Sequence, residues 1–248
     1  MREVIIVQAR MGSSRLPGKV LKKVLDKPLL EYQLERLRRV RLAHDIVIAT
    51  TTDPKDDAIV TACQIWGVHV YRGSEEDVLS RYYETARLHH ADVVVRITAD
   101  CPLIDPRVVD DVIRRYLEQA ELVDYVSNTL QRSYPRGMDT EAFSFEVLEE
   151  AYFEASQAPE REHVTPFIYR HPERYRLANV TYASDQSHHR WTVDTPEDFQ
   201  LIERILQSIY PRNPYFTLED VLELLTHHPE WLKINSHIQQ KELGLTKE

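Results

Sequence analysis

Residues 4–19 read VIIVQARMGSSRLPGK: the apolar run Val4-Ile5-Ile6-Val7 feeds a loop carrying Arg10, Arg15 and Lys19 among Gly12, Ser13, Ser14 and Gly18. An unbroken β-branched run suits a strand covered on both faces, and such strands belong to parallel sheets flanked by helices. The loop after it is suited to polyphosphate. Its glycines and serines let backbone N–H groups approach, and its three cations neutralise charge. It is not a Walker A loop, because the interval from Gly12 to Gly18-Lys19 is too long and Val20 stands where a hydroxyl would meet magnesium. No GxGxxG marks a dinucleotide site. A solvated loop whose cations pair with nearby carboxylates accounts for the same residue types. Residue chemistry alone leaves both readings open.

Outward from this stretch, β-branched runs alternate with helical periodicity. Strands are predicted at Glu3–Gln8, Asp45–Ala49, Val68–Arg72 and Val93–Ile97, with helices over Leu29–Val40, Asp56–Trp66 and Asp77–His89. The alternation implies parallel βαβ units. Asp53-Pro54, Asp105-Pro106 and Thr195-Pro196 each set a capping side chain before proline, and Thr217-x-x-Asp220 fits a capping box opening a helix through Leu225. From about residue 129 the rhythm changes: helices over Phe145–Ala155 and Arg161–Arg170, then strands over Arg174–Thr181 and Arg190–Val193. With no repeat, low-complexity tract or linker, residues 1–248 read as one domain in which 129–189 is an elaboration.

Composition narrows the function. The chain has 248 residues, 42% hydrophobic and 29% charged, which suits one large α/β domain. A net charge of −9 argues against the broad basic face of a general nucleic-acid binder. No apolar run is long enough for a bilayer, and the first strand is too short for a signal peptide. A soluble cytoplasmic protein with no nucleic-acid or membrane partner is expected. Cys63 and Cys101 form no CxxC pair and are expected as reduced, packed thiols. The pairs His89-His90, His188-His189 and His227-His228 lack the spacing of a zinc site.

In open α/β sheets, ligands gather outside the carboxyl ends of strands. The basic loop and Ala99-Asp100-Cys101-Pro102 both fall there. Asp100 has no helix to cap, since Asp105 takes that duty before Pro106, so it is a candidate metal ligand. Asp194 follows Arg190–Val193 in the same manner, although beside Thr195-Pro196 it can equally support a helix start. Magnesium takes one or two protein carboxylates and completes its shell with phosphate and water. Two such aspartates and a cationic loop would make a nucleotidyl-transfer site.

The stretch ARMGSSRLPGK, followed by Lys27-Pro28-Leu29-Leu30, resembles the signature of sugar-acid cytidylyltransferases. More narrowly, the chain is similar to the spore coat polysaccharide biosynthesis cytidylyltransferase family. DVLSRYYETA, VRITADCPLI, YPRGMDTEAFSFEVLEEA, REHVTPFIYRHPERYR and RWTVDTPEDF follow in family order between residue 5 and about 204. The resemblance implies a Rossmann-like nucleotide-diphospho-sugar transferase fold with a mixed, mainly parallel sheet. It also implies a middle arm over residues 129–189 that covers the sugar site and helps form a homodimer.

Carried onto this sequence, the resemblance has Arg10, Arg15 and Lys19, with Gly12, Ser13 and Ser14, bind the triphosphate. Main chain around Ala9, with Arg72 nearby, would help read the base, and Asp100 and Asp194 would hold Mg²⁺. Thr98 stands where synthetases for eight-carbon sugar acids carry glutamine. The reaction implied is attack by a hydroxyl of a sugar, a 2-keto-3-deoxy sugar acid, on the α-phosphate of CTP with release of pyrophosphate, in surface or spore polysaccharide biosynthesis. Arg136, Asp139, Glu141, Glu162 and His163 are candidates for the sugar site, and ion pairs at a subunit interface explain them as well. The alternatives are a sugar-1-phosphate nucleotidyltransferase using another base and a non-catalytic nucleotide-binding subunit. A glycosyltransferase would need a DxD where Asp100 is followed by Cys101-Pro102.

Overall fold

The computed structural model describes residues 1–240. In chain order its strands are β1 (Glu3–Gln8), β2 (Lys23–Val24), β3 (Lys27–Pro28), β4 (Asp45–Thr51), β5 (His69–Gly73), β6 (Val93–Thr98), β7 (Tyr125–Ser127), β8 (Glu141–Ser144) and β9 (Leu177–Asn179). The helices are α1 (Leu29–Leu37), α2 (Asp57–Trp66), α3 (Val78–Leu88), α4 (Pro106–Glu118), α5 (Phe145–Glu154), α6 (Ala158–His163), α7 (Pro166–Tyr169), α8 (Pro196–Ile209) and α9 (Leu218–His227). A small antiparallel β2–β3 pair stands apart from a seven-stranded sheet of order β5-β4-β1-β6-β8-β7-β9. Only β8 runs against the others, pairing antiparallel with both β6 and β7. This is the mixed, mainly parallel sheet expected.

The continuous apolar runs are explained by burial on both faces. Val4 and Ile6 of β1 and Val94 of β6 pack with Leu79, Tyr82 and Ala86 of α3 and with Leu148 of α5. The alternate residues Ile5, Val7, Val95 and Ile97 meet Leu30 and Leu34 of α1, Ile59 of α2 and Ile113 of α4. Each such side chain contributes about 1.5–3 kcal/mol on burial, which makes the strand ends a firm platform for the loops leaving them. Among the described residues no helix is long and apolar enough to cross a membrane.

Three sequence expectations need revision. The Arg161–Arg170 helix is split into α6 and α7, because Val164 turns to φ +73° and Pro166 has no N–H with which to continue. The Arg174–Thr181 strand shrinks to the three residues of β9. Arg190–Val193 joins no ladder, apart from a single bridge between Arg190 and Arg136. Its neighbour is the Pro135-Arg136-Gly137 turn: Arg136 N–H donates to the His189 carbonyl at 3.0 Å, and Trp191 N–H returns to the Arg136 carbonyl at 2.8 Å. Residues 129–189 are also woven into the main fold, supplying β8, β9 and α5–α7.

Gly137 makes that approach possible. Its φ is +105°, and a Cβ there would lie 2.9 Å from both the carbonyl carbon and the oxygen of buried Trp191. Gly137→Ala is expected to lose about 2 kcal/mol or more, from backbone strain and the clash together. Urea unfolding measures it, and a loss under half a unit would show the turn free to relax.

Candidate active site

Strands β1 and β6 lie side by side with Gln8 opposite Thr98, so the loops leaving them share one rim. The first loop is tied down locally. The Met11 carbonyl accepts from Ser13 N–H and Gly18 N–H, both at 2.9 Å, while Met11 N–H donates to Asp56 Oδ1 at 2.7 Å. Gly18 at φ +68° turns the chain into a short 3₁₀ turn that begins with Lys19. From the second loop, the Asp100 carbonyl accepts Val193 N–H at 2.9 Å and thereby draws the next residue, Asp194, to the same rim.

The consequence is a compact charge cluster. Lys19 Nζ lies 2.8 Å from Asp194 Oδ1 and 3.3 Å from Asp100 Oδ2. Asp194 Oδ2 also receives Arg15 at 3.2 Å and Arg190 at 2.8 Å. Asp100 Oδ1 accepts the Thr98 hydroxyl at 2.6 Å, with the Cys101 thiol at 3.4 Å. Burial opposes the charge on Lys19, yet the two carboxylates outweigh it and hold the ammonium above its usual range. Burial likewise opposes ionisation of Asp100, but Lys19 and the Thr98 and Cys101 donors keep its carboxyl below the ordinary value. Burial and the Asp100 charge push the Cys101 thiol well up, leaving a neutral, packed group rather than a nucleophile.

The helix-start explanation of Asp194 is now decided. Thr195 and Asp198 form the capping box of α8, so the Asp194 carboxylate is left to the cations. The two readings of the basic loop also separate by residue. Arg10 pairs at 3.1 Å with Glu75, both half exposed, as a surface pair would. Arg15 and Lys19 point instead to the aspartates.

A cleft of about 1390 Å³ opens over this cluster. Ala9, Arg10, Ser13, Ser14, Arg15, Lys19, Thr98, Asp100 and Asp194 line it. Gly12 and Arg72 are not among the lining residues. A Cβ on Gly12 would sit 3.0 Å from Glu75 Oε1. Arg72 is spent on the turn after β4, donating to the Thr51 and Asp53 carbonyls at 2.8 and 3.0 Å and to Asp57 at 2.6 Å. Arg81 also lines the cleft, although its place in the sequence does not single it out. It is 2% exposed, donates to the Ser74 carbonyl at 3.0 Å, and leaves Nε without a partner. Burial lowers its pKa. Inside the helical stretch DVLSRYYETA it looked like any solvated charge.

Arg136, Asp139, Glu141, Glu162 and His163 also line the cleft, with different degrees of freedom. Asp139 is held bidentately by Arg132 at 2.5 and 2.7 Å. Glu141 is buried, paired with Arg96, and accepts from the Tyr125 and Thr165 hydroxyls at 2.5 and 2.8 Å. Arg96 further donates to Gln8 Oε1 at 3.2 Å. These two carboxylates are therefore satisfied internally. Arg136 has no ion-pair partner among the described residues, and burial, with Arg132 adding, lowers its pKa. Burial also lowers His163, which favours its neutral form.

Removing one member of the Arg96–Glu141 pair strands a buried charge. Glu141→Ala should cost about 3–5 kcal/mol of stability, read by urea unfolding, and an Ala variant within 1 kcal/mol of wild type would show that Arg96 finds another partner. A pH effect is expected from His189, 8% exposed, whose imidazole burial and the nearby His188 charge push down to about 4. The unfolded chain takes that proton near 6.5, so unfolding binds a proton between those values. This contribution is complete above pH 6.5 and declines as pH falls toward 4. Unfolding curves from pH 4 to 7 should flatten in His189→Asn; an unaltered slope would assign the acid sensitivity to other groups.

The chain is similar to known proteins over most of its length. The sequence model of the family described as cytidylyltransferase matches residues 4–220. The spore coat polysaccharide biosynthesis protein SpsF of Bacillus subtilis is 32% identical over 92% of this chain and 95% of its own length. The solved structure of a cytidylyltransferase from Leptospira borgpetersenii superposes with a TM-score of 0.90 at 31% identity, covering 98% of this chain and 99% of that one. A CMP:2-keto-3-deoxy-manno-octonic acid synthetase complexed with CTP shares the fold, with a TM-score of 0.64 at 21% identity over 84% of this chain and 99% of its own.

Proposed function

The chain belongs to the cytidylyltransferase family of nucleotidyltransferases, and on that premise we propose that it moves CMP from CTP to a hydroxyl of a 2-keto-3-deoxy sugar acid. Pyrophosphate is the second product. The observation that carries this reading is the convergence of Arg15 and Lys19 on Asp100 and Asp194, with Arg136, which has no ion-pair partner among the described residues, on the same cleft. The name of the Bacillus relative supports a setting in surface or spore polysaccharide biosynthesis.

The donor set suits Mg²⁺. Asp100 and Asp194 offer hard carboxylate oxygens already drawn together about one ammonium group. Among the described residues no third acidic, histidine or cysteine ligand joins them, which matches an ion that relies on phosphate and water for the rest of its shell. Held by these two residues, Mg²⁺ would supply positive charge at the phosphates. Arg10, Arg15 and Lys19 exchange their carboxylate partners for phosphate oxygens, keeping charge-assisted bonds throughout. Arg136 takes the sugar-acid carboxylate in a bidentate fork and so orients the acceptor. The acceptor oxygen bonds to the α-phosphorus as the bond to the bridging oxygen breaks. Pyrophosphate leaves with that electron pair, its charge met by the same cations, and the hydroxyl proton passes to solvent.

Residues 129–189 serve the acceptor end and, in this reading, a homodimer contact. The exposed Leu130 and Phe153, at 37% and 70%, lie in that segment and support it. We place the enzyme in the cytoplasm, where CTP is available.

Incubation with each NTP, Mg²⁺ and a panel of sugar acids and sugar phosphates, followed by mass spectrometry, tests the reading. CMP-sugar should form, whereas a product with another base would redirect the assignment. Asp100→Ala and Asp194→Ala should each lower kcat by about 100-fold or more, near 2.7 kcal/mol of barrier. Near-normal pyrophosphate release by both variants would sink the proposal. Lys19→Ala should raise KM for CTP about tenfold, as expected on losing one charge-assisted contact.

A further inference from the structure

The last described segment, from the 3₁₀ turn Pro229–Lys233 to Gln240, lies beyond the family-matched residues 4–220, yet it returns to the charge cluster. Asn235 is 3% exposed, and its Nδ2 donates to the Arg190 carbonyl and to Asp198 Oδ1, both at 2.9 Å. Gln240 Oε1 accepts from Arg190 at 2.5 Å, and Gln240 lines the cleft. Asp198, fully buried, further accepts from Arg190 at 2.9 and 3.0 Å and from the backbone N–H groups of Asp194 and Thr195 at 3.0 and 3.1 Å. Arg190 then reaches Asp194 Oδ2 at 2.8 Å. The path from Asn235 to the Asp194 carboxylate thus runs by direct hydrogen bonds through two buried side chains, Asp198 and Arg190.

We propose that this C-terminal segment is part of the active site, with Asn235 as a positioning residue that fixes the Asp198–Arg190 pair and through it the aim of Asp194. The proposal rests on the reading of Asp194 as a divalent-cation ligand. Asparagine suits the place because two donors are needed there without a net charge. The three carboxylates Asp100, Asp194 and Asp198 already balance Arg15, Lys19 and Arg190 nearby, and a buried acceptor left without a donor is destabilising. Without Asn235, the Arg190 carbonyl and Asp198 Oδ1 each lose a donor, and Arg190 is free to drift from Asp194.

Binding of Mn²⁺ to CTP-saturated protein, followed by electron paramagnetic resonance, tests this without any acceptor sugar. Asn235→Ala should weaken Mn²⁺ about tenfold while CTP affinity measured in EDTA stays within twofold. Asn235→Asp has the same shape but sets a carboxylate against Asp198, so it should weaken Mn²⁺ at least as much. A packing role would make the Asp variant near normal and the Ala variant the worse of the two. Should Asn235→Asp fail to fold, Gln240→Ala reads the same network and should weaken Mn²⁺ about threefold. Wild-type Mn²⁺ affinity in Asn235→Ala, or in Asn235→Asp, overturns the proposal. Wild-type protein that binds no Mn²⁺ with CTP overturns the cation reading and the proposal with it. Failure to make any CMP-sugar counts against the proposed reaction alone.

Discussion

One ammonium group standing between two carboxylates is the constraint around which the rest is arranged. Lys19 bridges Asp100, from the loop after β6, and Asp194, from the segment just before α8. Two aspartates at such range repel one another, and in a half-buried rim the repulsion is screened less than in water. The cation offsets that repulsion, and beside it the Asp100 carboxyl stays below its ordinary value. The backbone bond from Val193 N–H to the Asp100 carbonyl adds a neutral tether that does not depend on charge. Together they keep the two oxygens sets in place before any ligand arrives, which is the preorganisation that phosphoryl chemistry draws on.

Around this cluster the cleft sorts its charged groups into spent and unspent ones. Asp139, Glu141 and Arg96 are locked into internal pairs and shape the wall. Arg136 and Arg81 retain guanidinium nitrogens without an acidic partner among the described residues, in places where burial already disfavours their charge. A buried cation without a counter-ion is costly to keep. Its natural complement is an anionic or strongly accepting ligand, and for that reason the cleft suits a negatively charged substrate better than a neutral one.

The β-branched runs, the proline-marked helix starts and the Thr217–Asp220 capping box could be read directly, since each depends on neighbours within one turn or on alternation along one strand. The loop VQARMGSSRLPGK and the two aspartates were legible as chemistry but not as a cluster. Arg72 shows the limit. The family resemblance put it near the base, yet the Thr51 and Asp53 carbonyls and the Asp57 carboxylate take its guanidinium. Arg81, Arg96, Arg190 and Asp198 carried no local signal, because a charge on a helix or strand has the same sequence appearance whether it is solvated or buried against a partner.

The sequence by itself determined the alternation of strand and helix, the parallel character of the sheet's first half, and a cationic loop and a lone aspartate at strand ends, because periodicity and capping are short-range effects. Only the tertiary structure decided which cations meet which carboxylates. It also decided that Arg190–Val193 abandons a ladder for the Arg136–Gly137 turn, and that a segment near the C-terminus supports Asp194. The physical reason is the range of the interactions. An ion pair or a buried amide chooses among all groups the fold brings within about 3 Å, and that choice exists only once the chain has closed on itself.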